Sequence, residues 1–164
     1  MGTKLSDHFF DSDPKKLAKL EDEAKEILRR ESEPSKTNVF ISFAEEDIDE
    51  VNLLRGQAKN ENSDLEFRDY SVKEPYDSED ADYIRRNIRE KIKQTSTTLI
   101  YLSKATAKSR WVNWEIEESI KLEKKVIGVY KGSSPPNNLP SAITKNKIQV
   151  VKWSHKSIMA EINK

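Results

Sequence analysis

The 164-residue sequence has no cysteine and only two histidines, His8 and His155. Disulfides, thiolate nucleophiles and Cys/His zinc sites are therefore excluded, and a cysteine-free chain is compatible with a reducing cytoplasm. Glycine is scarce, with four in the chain, and neither GxGxxG nor GxxxxGK[ST] occurs, so the common phosphate-cradling loops are missing. No apolar run approaches the roughly 20 residues that cross a bilayer, and no signal-peptide pattern is found. Lys and Arg number 29, as do Asp and Glu, so there is no long-range positive field to draw nucleic acid. The expectation is a cytoplasmic protein with no metal, no prosthetic group, and no nucleic-acid or membrane partner.

What the chain has in abundance is charge, 35% of residues against 35% hydrophobic. Most of that charge belongs on solvated helix faces, around a core made largely of strands. The length suits one domain with a modest extension. Residues 1–36 read as the extension. Phe9 and Phe10 stand in an otherwise irregular start, and Asp13-Pro14 reads as N-cap and first residue of a helix. Leu17, Leu20, Ala24, Ile27 and Leu28 give that helix one apolar face, suited to packing on the domain's own surface or to docking a partner. A linker through Lys36 follows.

Residues 37–164 alternate strand and helix patterns. Val39–Phe43, Leu65–Tyr70, Thr98–Leu102, Val126–Tyr130 and Ile148–Trp153 read as five strands. Between them run helices with apolar faces at Ile48, Val51, Leu54 and Ala58, then at Ala81, Ile84, Ile88 and Ile92 behind a Ser78 cap. A third, capped by Ser109, uses Val112, Ile116 and Ile120; a closing helix capped by Ser154 uses Ile158, Met159 and Ile162. The loop from Lys131 to Asn146 carries three prolines and has no room for a full helix. Such alternation argues for a parallel α/β sheet. The second and fifth strands are the most polar and belong at the edges, giving a flavodoxin-like three-layer fold with strand order 2-1-3-4-5 and right-handed crossovers.

That order places a crevice where the chain reverses, between the ends of the first and third strands. Ser42-Phe43 and Ser103 end those strands. The Ser109-capped helix puts Trp111 in its first turn and Glu115 in its second. Trp114 points away from the apolar stripe, as a surface anchor or an interface residue, while Glu117-Glu118 and Arg85-Arg86 read as solvated faces. The loop Ala44-Glu45-Glu46-Asp47 would repel the phosphate of a flavin. A phospho-receiver would need an aspartate where the third strand ends in Ser103-Lys104. No histidine accompanies a serine nucleophile. A carboxylate beside aromatics and hydroxyls remains, suited to a sugar or nucleoside undergoing glycosidic cleavage, although a glutamate on an amphipathic helix is most often simply solvated.

Several segments resemble those of TIR domains, most closely the TIR-like ThsB proteins of the bacterial Thoeris anti-phage system. Val39-Phe40-Ile41-Ser42-Phe43-Ala44-Glu45-Glu46-Asp47 is similar to the family's first-strand box, and Phe67-Arg68-Asp69-Tyr70 to its second. Ser103 with Ser109-Arg110-Trp111-Val112-Asn113-Trp114-Glu115-Ile116 resembles the segment that holds the catalytic glutamate four residues after a tryptophan. Lys125-Val126-Ile127-Gly128-Val129 also matches. The resemblance spans about Asn38 to Trp153; it departs from the family where Pro75 is followed by Tyr76 instead of glycine. It implies cleavage of the nicotinamide–ribose bond of NAD+, taken as substrate, with ADP-ribose passed to water or cyclised. Glu115 would be catalytic, and Ser42, Phe43, Asp47, Asp69, Ser103 and Trp111 would contact the dinucleotide. It also implies self-association through TIR surfaces and a diffusible product acting on a separate effector. A non-catalytic TIR-like interaction module is the alternative.

Overall fold

A computed structural model describes residues 13–32, 36–60, 64–68 and 74–164. The chain divides into two compact units, Met1–Ser35 and Lys36–Lys164. In the first, α1 (Pro14–Ser32) begins where expected. Asp13 precedes Pro14, and its Oδ1 accepts from the Lys15 N–H at 3.0 Å, satisfying one of the donors left open at a helix start. Surface ion pairs Lys19–Glu23 and Glu26–Arg29 flank the apolar face. Phe9, Phe10 and the linker residues 33–35 lie outside the described residues.

The second unit runs β1 (Thr37–Ser42), α2 (Ile48–Asn60), β2 (Leu65–Arg68), α3 (Ala81–Lys93), β3 (Thr97–Tyr101), α4 (Arg110–Lys121), β4 (Lys125–Tyr130), α5 (Ser141–Lys145), β5 (Gln149–Lys152) and α6 (His155–Ile162). The sheet has the order β2-β1-β3-β4-β5, and every pairing is parallel. This is the flavodoxin-like order expected from the polar second and fifth strands. The physical reason is visible in burial: every residue of β3 is buried, whereas β2 and β5 expose alternate or terminal residues.

Strand alternation sorts the core into two layers. Val39, Ile41, Leu99, Tyr101, Ile127 and Val129 pack with Val51 and Leu54 of α2 and Ile158 of α6. On the other face Phe40 meets Ile84, Ile88 and Ile92 of α3, and Ile100 meets Val112 and Ile116 of α4. The third layer thus presses α3 and α4 against the face that carries Phe40 and, two residues on, Ser42.

One helix boundary differs from expectation. α3 starts at Ala81, with Asp80 as its N-cap residue, because Pro75–Ala81 is taken up by two successive turns: the Ser78 N–H donates to Pro75 O and the Ala81 N–H to Ser78 O. The proline-rich loop after β4 does hold α5, but as a five-residue helix starting directly after Pro140.

Gly128 of β4 sits where an added Cβ would lie 2.9 Å from Leu102 Cδ1 and 3.1 Å from Val150 Cγ2. The first is shorter than carbon atoms approach and the second is tight enough that Val150 must give a little, and Leu102 is itself buried. Gly128→Ala is expected to destabilise the domain by about 1–3 kcal/mol, seen as a lower urea midpoint at unchanged m-value. An unchanged midpoint would mean that Leu102 swings aside at no cost.

Candidate active site

The site grows from the carboxyl end of β1. Ser42, the last residue of the strand, is 1% exposed and shares a face with Phe40, toward α3 and α4. α4 leaves the loop after β3 with Ser109 as its cap, the hydroxyl accepting from the Val112 N–H at 3.2 Å. That cap fixes the first turn, so Val112 and Ile116 point at the sheet and Glu115 follows on the same side, only 3% exposed. The Ser42 hydroxyl donates to Glu115 Oε2. A carboxylate from the fourth helix thus meets a hydroxyl from the first strand, 73 residues away in sequence, at the switch point of the sheet.

The flanks of α4 are more buried than its apolar stripe alone indicates. Trp114, expected to point away from the core, is half-buried and packs with Trp111 against Phe40, Ile84, Ile88 and Ile92. Glu118, read as solvated, is 6% exposed and accepts from Arg89 Nε at 2.5 Å. The cause is α3, which lies alongside α4 and widens its buried face beyond one stripe. Trp111 lies one turn before Glu115. Its indole N–H donates to the Glu74 carbonyl at 2.9 Å, and its ring meets Tyr76 edge-on at 5.0 Å. Tyr76 in turn contacts two guanidinium groups, Arg85 at 4.3 Å and Arg110 at 4.4 Å from its ring centre. Arg85 also donates to the Tyr76 carbonyl at 3.0 Å, and Arg110 pairs with Asp77. Arg85, read as a solvated residue, is thus part of an aromatic–guanidinium stack, while Arg86 is exposed as expected.

Ser103 and Asp47 are brought together too, but with each other. The Ser103 hydroxyl donates to Asp47 Oδ2 at 2.5 Å and accepts from the N–H groups of Ala105 and Thr106 at 3.0 and 3.2 Å. The bond ties the loop after β1 to the loop after β3. Phe43 turns to the opposite face from Ser42, against the α2 layer, with the Arg55 guanidinium 5.6 Å from its ring centre. Asp69 lies outside the described residues. Two residues with no expected role adjoin the site. Thr98 and Ser119 form a fully buried hydroxyl pair beneath Glu115. The signal for them was present, since Thr98 interrupts a buried apolar strand and Ser119 follows Glu115 by one turn. Among the described residues no His/Cys/Asp/Glu cluster of three or more is placed to hold a metal ion, and no helix is long and apolar enough to cross a membrane.

A five-stranded parallel sheet in this order, with helices on both faces, is the arrangement of a TIR-like domain. The family model described as "Thoeris protein ThsB, TIR-like domain" matches residues 40–135, more than half of the chain, and the chain belongs to that family. Among solved structures, the TIR domain of the Toll-related receptor TRR-2 from Hydra magnipapillata is similar at 18% identity and a TM-score of 0.49, over 74% of this chain and 88% of that one. The CMP N-glycosidase BcmB of Clostridium botulinum is similar at 13% identity and a TM-score of 0.44, over 78% of this chain and 100% of that one. No curated protein matches the chain.

The rim has its own pH dependence. Burial, with smaller contributions from Glu46 and Glu50, holds the Asp47 carboxyl above its ordinary value of 3.8, against the lowering effect of the Ser103 hydrogen bond. A carboxyl raised in the folded state keeps its proton longer there than in the unfolded chain, so its contribution to stability is lost as pH rises through the folded value. Asp47→Asn, which keeps an acceptor for Ser103, removes that loss. Urea midpoints measured from pH 3.5 to 7 are expected to show wild type falling relative to the variant as pH rises, then levelling. A difference that stays flat, or reverses, would contradict the burial effect.

Proposed function

We propose that this domain cleaves the nicotinamide–ribose bond of NAD+, with Glu115 as the catalytic carboxylate. The observation that carries this reading is the enclosure of Glu115 at the switch point under the Ser42 hydroxyl. As the glycosidic C–N bond breaks, its electron pair passes to the pyridinium nitrogen and nicotinamide leaves neutral, while C1′ of the ribose becomes cationic. A fixed anion in a dry site stabilises that developing charge far more than water does, because its orientation is set before the reaction begins. In this reading Glu115 accepts a ribose hydroxyl alongside or in place of Ser42, and Trp111 walls the pocket. The rest of the dinucleotide runs toward Asp47 and Ser103, which exchange their mutual bond for ribose contacts, whereas Phe43, packed in the α2 layer, takes no part. Water or another atom of the ADP-ribose then attacks C1′, giving ADP-ribose or a cyclic product.

Membership of the ThsB family supports a role in Thoeris anti-phage defence, with the cyclic product as a diffusible signal to a separate effector and self-association through TIR surfaces. One observation favours a second reading, a non-catalytic interaction module: a glutamate 3% exposed and already hydrogen-bonded can serve packing alone.

The two separate on incubation with NAD+, with and without extract of phage-infected cells, and detection of nicotinamide by mass spectrometry. Glu115→Gln keeps an acceptor for Ser42 but removes the charge. Nicotinamide release is expected to fall by at least about 100-fold in the variant, the scale on which pre-organised electrostatic groups act. An equally low signal from both proteins favours the interaction module.

A further inference from the structure

We infer that Thr98 and Ser119 are positioning residues for Glu115, a second attachment of α4 to the sheet that sets where the carboxylate stands; this rests on the catalytic role proposed above. Both side chains are 0% exposed, in a layer otherwise built from Phe40, Ile88, Ile100 and Ile116. Hydroxyls in such surroundings are tolerated only when bonded, since burial without a partner forfeits their hydration. Here the bonds form a directed chain. The Ser119 hydroxyl donates to the Glu115 carbonyl at 2.7 Å. Having one proton, Ser119 must be the acceptor in its 2.9 Å contact with Thr98 Oγ1, so Thr98 donates.

The register explains what this chain accomplishes. Phe40 lies opposite Thr98, and Ser42 opposite Ile100, so Thr98 and Ser42 face α4 from neighbouring strands at levels two residues apart, roughly 7 Å along the sheet. Glu115 and Ser119 are one turn apart, roughly 6 Å along the helix. The two spacings match. α4 is therefore bonded to the sheet at two heights, through the Glu115 carboxylate at Ser42 and through Ser119, with the Glu115 backbone, at Thr98. A rotation of α4 by one residue, about 100°, would break both. The Ser42 bond alone leaves the flexible Glu115 side chain free to follow a shifted helix, whereas the lower attachment holds the backbone from which it projects.

The test removes both hydroxyls at once, by Thr98→Val with Ser119→Ala, so that neither is left unsatisfied. The readouts are the urea midpoint, the carboxyl 13C resonance of Glu115 (assigned by its loss in Glu115→Gln) and, with NAD+, kcat and KM for nicotinamide release. The expected result is a folded protein whose Glu115 resonance moves in the same direction as in Ser42→Ala, with kcat down about tenfold or more and KM little changed. Thr98→Ser, which keeps the donor, restores the resonance and kcat. A folded double variant with the wild-type resonance and kcat would overturn the inference. If wild type itself releases no nicotinamide, the proposed function fails, and the resonance still decides the positioning role. Should the double variant not fold, the comparison of Thr98→Val with Thr98→Ser decides it by the same two readouts.

Discussion

Withdrawing a carboxylate from water costs far more than one side chain can usually return, unless the protein supplies donors or allows the group to take up a proton. Glu115 is nearly sealed from solvent and faces the Ser42 hydroxyl, and the surrounding architecture follows from that pairing. β1 must end at a residue able to donate, and it must end facing the third layer. α4 must begin at a fixed point, which the Ser109 cap provides. The helix must also keep one rotation against the sheet, and the buried Thr98–Ser119 pair is placed to hold it there.

Around this centre the polar contacts are graded by depth. Deepest are hydroxyls bonded to helix backbone or carboxylate, at most 1% exposed. Next comes Arg89 with Glu118, an ion pair whose acid is buried and whose base is partly open. At the rim, Arg110 and Asp77 are mostly exposed, and such pairs add little by themselves. Their effect is geometric: with Arg85 they hold Tyr76 in place against Trp111. The Asp47–Ser103 bond does the same for the loops after β1 and β3, at the cost of a half-buried carboxyl that burial disfavours in its charged form.

The sheet order was legible in the sequence because its evidence is local. Leu65–Arg68 alternates in polarity and Gln149–Lys152 is half polar, whereas Thr97–Tyr101 is buried along its length. The pairing of the third and fourth helices was not legible, because an amphipathic stripe reports one buried face and says nothing of a second neighbour. α3 supplied that neighbour, which is why Trp114 and Glu118 are less exposed than their helix positions suggested, and Arg85 of α3 is covered in turn by Tyr76 and Trp111. The position of Glu115 near Ser42 followed from strand order and helix phase together. Its degree of burial did not, since that depends on how closely α4 approaches the sheet. The mutual bond of Asp47 and Ser103 joins residues 56 apart that each read only as polar contacts for a ligand. Tyr76, visible as a departure from glycine, became intelligible once Arg85 and Arg110 were seen over its ring.

The most direct measurement of the central claim is a crystal structure with a carbocyclic NAD+ analogue, which binds as the dinucleotide but lacks the cleavable glycosidic bond. The expected result places the nicotinamide-bearing ring against Glu115, with a ring hydroxyl within hydrogen-bonding distance of its carboxylate and the Ser42 contact shared or displaced. An analogue bound elsewhere on the domain, with Glu115 still closed beneath Ser42, would contradict it.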